Sequence, residues 1–155
     1  MPPFPLPYRN NDHAAHVLSA VRGGLRSYQR PLSPASTRVW ENSLGTDLLI
    51  LTVSGELDKA TSPLLEQNLD RPLPAVTVLD LSRVTFLGVA GLRALEIAAA
   101  RAVSERRRIG VVTAAAPVLR IFRLFALDVR VPVYPLLADA IRELTPKRPA
   151  DSPGR

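Results

Sequence analysis

The chain reads as an α/β domain: a small mixed β-sheet that starts with a hairpin, continues in mostly parallel strands, and packs against about four helices. Short apolar, β-branched runs at 48–53, 76–81 and 109–113 alternate with stretches whose apolar residues recur at three- and four-residue steps. Pro63, Pro117 and Pro135 each open such a stretch, where a missing backbone N–H removes no helical hydrogen bond. The first two strand candidates are joined only by a turn, which suits antiparallel neighbours.

The elements follow in order. Arg38–Glu41 is a short strand candidate, and Asn42–Asp47, with Gly45, is a turn. Leu48–Val53 is continuously apolar, as in a strand buried on both faces. Ser54–Asp58 breaks it. Ser62 is placed to cap a helix, Pro63 opens it, Leu64, Leu65 and Leu69 share its inner face, and Pro72 and Pro74 stop it. Val76–Leu81 is the next strand, with Val84–Leu87 a brief extension. A helix from Ala90 to Arg107 turns Leu92, Leu95, Ala99 and Val103 inward. Ile109–Thr113 is a strand, and a helix from Pro117 presents Val118, Ile121, Phe122 and Phe125. Val129–Val133 is the last strand. The final helix, from Pro135 to Pro146, buries Leu137, Ile141 and Leu144.

At 155 residues, with 46% hydrophobic and 22% charged, the chain suits one folded domain. Residues 37–144 carry it. Residues 1–36 and 145–155 read as Pro-rich, disordered tails, although Ala14, Val17, Leu18 and Val21 allow a short helix over His13–Val21. The longest uncharged apolar runs fall far short of the roughly 18 residues a membrane span needs. No charged start followed by an apolar segment marks a secretory leader, so a cytoplasmic location is expected. Without Cys there is no disulfide, thiol nucleophile or thiolate metal site.

The net charge of +6 collects at the ends: +3 over residues 1–43, +2 over 145–155, and only +1 across the domain between. Arg106-Arg107-Arg108 falls near a helix C-terminus, where cations complement the helix dipole. A nucleic-acid surface is therefore not expected. Nor is catalysis. No phosphate-binding loop or dinucleotide fingerprint is present. His13 and His16 lie in the tail with no further His or Cys to complete a metal site. Glu56 and Asp58 face one way in an extended segment, but no substrate-binding residues accompany them. No cofactor or metal is expected.

Two segments stand out: Val53-Ser54-Gly55-Glu56-Leu57-Asp58, and Asp80-Leu81-Ser82 followed by Val84-Thr85-Phe86-Leu87-Gly88-Val89-Ala90-Gly91-Leu92. In this order, and with this element sequence, residues 37–144 resemble the STAS domain family of bacterial anti-sigma factor antagonists. The resemblance implies a STAS-like fold and a partner face on the loop after the third strand and the start of the next helix. The partner it implies is an anti-sigma factor, often a serine kinase. The family's loop typically reads Asp-Ser-Ser/x-Gly, its first Ser accepting phosphate. Here Gly88 takes the Asp position, Val89 the phosphoacceptor position and Ala90 the next, while Gly91 matches. Asp58 and Thr61 fall on the neighbouring edge of the same face.

Valine has no hydroxyl, so no phosphoacceptor stands in this loop, and the charge of about −1.5 to −2 that phosphate brings cannot be added there. The expected partner-binding residues are Asp58, Thr61, Gly88, Val89, Ala90, Gly91, Leu92 and Arg93. The expected function is sequestration of an anti-sigma factor, freeing a sigma factor for transcription without a serine switch. Three other readings stay open. The loop could be the remnant of a lost interface, with Asp58 only capping a turn. The domain could be a regulatory subunit of a lipid or small-molecule transporter. The working part could instead be the Pro/Arg-rich tail.

Overall fold

Two long strands carry apolar residues on both sides; three helices pack one side and a single helix the other. A computed structural model describes residues 37–147. The expected helix at His13–Val21, His13 and His16, and the chain from 148 onward lie outside the described residues.

The five strands are β1 (Arg38–Leu44), β2 (Leu48–Leu57), β3 (Val76–Leu87), β4 (Arg108–Val112) and β5 (Val133–Tyr134). They lie side by side in chain order. The β1–β2 hairpin is antiparallel, turning at Gly45 in the left-handed region (φ 63°), and all later pairings are parallel. The helices are α1 (Ser62–Leu69), α2 (Val89–Ser104), α3 (Ala116–Leu124) and α4 (Leu137–Leu144), with a 3₁₀ turn at Leu127–Val129. Right-handed crossovers that step in one direction keep their helices on one face of the sheet. Accordingly α1, α2 and α3 contribute Leu65, Leu95 and Phe122 to the core that includes Leu51, Val53, Leu79 and Leu81. Only α4 crosses to the other face, where Ala140, Ile141 and Leu144 meet Leu48, Ile50, Val76 and Val78. Gly110 permits this approach: a Cβ there would stand 2.5 Å from Leu144 Cδ1.

The strands differ from the expectation where pairing overrides local composition. Ser54–Asp58 does not break β2, which runs on to Leu57 through register shifts at Thr52/Ser54 and Gly55/Glu56. The same shifts make β3 continuous. It advances three residues against two on β2 from Asp80 to Arg83, and two against one from Val84 to Phe86, placing Ser82 with Arg83, and Thr85 with Phe86, on the exposed side. Leu81, Val84 and Leu87 therefore point inward at three-residue intervals in a strand.

The last strand is Val133–Tyr134 rather than Val129–Val133. The chain leaves α3 through Ala126 in the left-handed region and a 3₁₀ turn, leaving Val129 84% exposed. Helix α2 stops at Ser104, short of Arg107; Arg107 N–H donates to Ala102 O after Arg106 turns to positive φ. Its inner face is Leu92, Leu95, Ala98, Ala99 and Ala102, whereas Val103 points to solvent. Ser62 lies inside α1 rather than capping it, its hydroxyl donating to Asp58 O. Phe125 sits just past α3 and is partly exposed.

Phe122 is fully buried between α3 and the sheet, so Phe122→Ala should cost about 3–5 kcal/mol in urea unfolding. Val103→Ser, on the exposed side of α2, should stay within about 0.5 kcal/mol of wild type.

Candidate functional site

Parallel strands in matched register end together, and this brings the two distinctive segments into contact. Leu57 pairs with Leu87, so Asp58 and Gly88 leave the sheet side by side. Gly88 N–H donates to Leu57 O at 2.8 Å, and Leu92 N–H to Gly88 O at 3.0 Å, starting α2 over the end of β2. Glycine is required at 91 by close approach. A Cβ on Gly91 would lie 2.8 Å from Leu87 Cδ1, 2.9 Å from Leu57 Cβ and 3.0 Å from Leu57 O. One on Gly88 would come within 3.3 Å of Leu57 O and of the Phe86 ring. Gly88 is extended and offers no side-chain cap, so no side-chain oxygen closes the N-terminus of α2.

On the β2 side the loop is closed by its own polar groups. Asp58 Oδ1 accepts from Ala60 N–H, Thr61 N–H and Thr61 Oγ1, each at 2.9 Å. Thr61 Oγ1 also accepts from Asp58 N–H at 3.0 Å and approaches Glu56 O at 2.5 Å. The Thr61 hydroxyl, together with the Thr61 and Ala60 amides, favours the carboxylate and holds the Asp58 pKa below its ordinary value, against a smaller desolvation effect.

The predicted residues divide by depth. Val89 is 68% exposed, Arg93 is exposed, and Ala90, Asp58 and Thr61 are half-buried at the surface. Gly91 and Leu92 are buried, so they shape the start of α2 without offering surface. Sequence reasoning missed Ile97. It is 60% exposed and lies one further four-residue step along the stripe begun by Val89 and Arg93. The signal was that same spacing, opposite the inward Leu92, Leu95 and Ala99. Nearby hydroxyls are engaged: Ser82 Oγ donates to Asp80 Oδ1 at 2.6 Å, and Thr85 Oγ1 to Gly55 O at 3.4 Å. The edge thus offers an exposed valine and arginine on α2, and across the junction a carboxylate whose contacts are largely internal.

Comparison with known proteins bears on the same segments. The sequence model of the family described as "Mlab, STAS domain" matches residues 45–138. The anti-sigma-F factor antagonist RsfB of Mycobacterium tuberculosis is 32% identical over 95 residues, which span 59% of this chain and 77% of that protein. The crystal structure of an anti-sigma factor antagonist from Mycobacterium paratuberculosis superposes with a TM-score of 0.62 at 31% identity, covering 74% of this chain and 98% of that one. The Bacillus cell fate determinant SpoIIAA in its phosphorylated form shares the fold, with a TM-score of 0.56 at 11% identity over 69% of this chain and 99% of its own.

Gly91→Ala should destabilise the fold by about 1–3 kcal/mol, because backbone and Leu57 leave no room for the methyl group. Asp58 gives a test in pH. A carboxyl with a lowered folded pKa stabilises the fold above its unfolded pKa, and that contribution disappears as pH falls through the folded value. Asp58→Asn should therefore be less stable than wild type at neutral pH, with the gap closing in acid. Urea midpoints between about pH 2 and pH 7 check this.

Proposed function

The chain belongs to the STAS domain family, and from that membership we propose that it is an anti-sigma factor antagonist. It binds an anti-sigma factor by protein–protein contact and so regulates transcription, acting in the cytoplasm and without catalysis. The contact is the edge made by the Asp58–Thr61 turn and the Gly88–Arg93 start of α2. One observation carries the reading: Val89 projects, 68% exposed, from the junction where Leu57 and Gly88 meet. An exposed apolar side chain on the first residue of α2, flanked by Gly88 and Gly91, suits burial in a partner. The absence of a hydroxyl at Val89 and Ala90 makes this antagonist unswitched at that site, controlled by abundance or competition. Among the described residues no helix is long and apolar enough to cross a membrane.

Val89→Glu tests the face. An exposed carboxylate beside a helix N-terminus is tolerated or favourable by roughly 0.3–1 kcal/mol, so the variant should fold. At a packed interface the same charge loses its hydration, and affinity for the anti-sigma factor should fall by about a hundredfold or more in calorimetric titration. Unchanged affinity in the folded variant would remove this loop from the interface. Val89→Ser should keep binding. Incubation with an anti-sigma kinase and ATP should leave residues 84–93 of the wild type without phosphate by mass spectrometry; stoichiometric phosphate on Thr85 with loss of binding would refute the unswitched reading. Affinity capture that returns a transporter ATPase instead would replace the proposal with a transport role.

A further inference from the structure

Eight large apolar side chains stand exposed among the described residues, and three of them, Leu124, Phe125 and Val129, fall within six positions of one another. They mark the corner where α3 ends and the 3₁₀ turn begins. Of residues 123–130 only Leu127 is buried, and it anchors the corner. Its carbonyl accepts from Arg130 N–H at 3.0 Å and from Val131 N–H at 2.9 Å. On the helix side Phe125 N–H donates to Ile121 O at 3.1 Å, and Ala126 N–H to Arg123 O at 3.2 Å. Ala126, at φ 53°, turns the chain between the two. The corner is therefore ordered backbone with its polar groups paired, yet it keeps Leu124 73% exposed and Val129 more so. An apolar cluster held in water in this way marks a surface that meets something.

Its charge is one-sided. Val118 and Phe122 face the core, so Arg120, Arg123 and Leu124 share the outer side of α3. Arg130 adds a third exposed arginine beyond the turn, where Asp128 is the one acid. Among the described residues none of these four charged groups makes an ion pair.

We propose that this corner docks on an anionic lipid surface, with Leu124, Phe125 and Val129 entering the headgroup layer and Arg120, Arg123 and Arg130 meeting lipid phosphates. Charge complementarity sets the sign of the partner: three arginines against one aspartate favour an anionic surface. A second copy would bring the same arginines across a two-fold axis, and like charges oppose that pairing. Shape selects lipid over an acidic protein. Side chains diverge from a chain reversal, and a fluid headgroup layer closes around them, whereas a packed protein surface needs a pocket for each. Helix α3 starts just beyond the end of β4 and runs back along the sheet, so the corner lies away from the edge at Asp58 and Gly88. Docking leaves that edge free, and the proposal does not depend on which protein the edge binds.

The chain has no cysteine, so a single introduced thiol can be labelled. Full-length Val129→Cys carrying a polarity-sensitive fluorophore should shift to the blue, and about double in intensity, on vesicles of phosphatidylglycerol and phosphatidylcholine in equal parts. The same label on Ser43→Cys, an exposed site on β1, should not respond. In vesicle sedimentation the unlabelled wild type should bind these vesicles about tenfold or more tightly than pure phosphatidylcholine. Leu124→Ser with Val129→Ser should weaken that binding about fivefold, and Arg120→Gln with Arg123→Gln about tenfold. Arg106→Gln with Arg107→Gln, exposed outside the corner, should stay within about twofold. All these side chains are exposed, so the variants should keep the wild-type urea midpoint. Binding with the Val129 label still in water would assign the attraction to the basic chain ends and overturn the proposal. Equal losses from the two arginine pairs would overturn it as well. So would an absence of binding to the anionic vesicles; self-association lost with Leu124→Ser and Val129→Ser would then give the corner to a second copy.

Discussion

The close contact between the end of β2 and the start of α2 is the constraint on which the rest depends. Leu57 provides a carbonyl for Gly88 N–H and a side chain that leaves no room for a Cβ at residue 91. This contact fixes where α2 begins and therefore how its alanine-rich inner face meets the sheet. It also holds Val89 outward. Glycine at 91 is thus a structural requirement, and the neighbouring Val89 is left exposed.

The contact exists only because β2 and β3 finish in step. Their pairing slips twice, and each slip adds a residue to the exposed side of β3 while keeping Leu81, Val84 and Leu87 inward. Without those shifts, strict alternation would send one of these leucines or Val84 into solvent. The bulges also carry Phe86 to the second face and beneath Gly88. One irregularity therefore links the inner core and the candidate partner edge.

Electrostatics has a smaller and more local role. Asp58 uses its charge to close the turn with Thr61 and Ala60, which rigidifies the edge and leaves less of the carboxylate for a partner. Elsewhere ion pairs such as Arg71–Glu41 and Arg101–Glu105 lie at the surface, where pairs of this kind contribute about 0–1 kcal/mol. At the edge, Val89, Arg93 and Ile97 form one exposed stripe along α2.

Local sequence determined the succession of elements, because apolar period, glycine turns and helix-opening prolines are read within a few residues. It placed the hairpin at Gly45, the buried runs of β2 and β4, and the helices opened at Pro63 and Pro117. It also determined that no hydroxyl stands at Val89 or Ala90. Tertiary structure decided what depends on pairing across the sheet. Ser54–Leu57 is strand because β3 lies beside it, and the three-residue pattern from Leu81 to Leu87 is strand because β2 accommodates two bulges. Val103 has the spacing of a core residue yet is exposed, since the α2–sheet approach is filled by Ala98, Ala99 and Ala102. Periodicity states which side chains favour burial. Which surface buries them depends on register, a property of residues tens of positions apart.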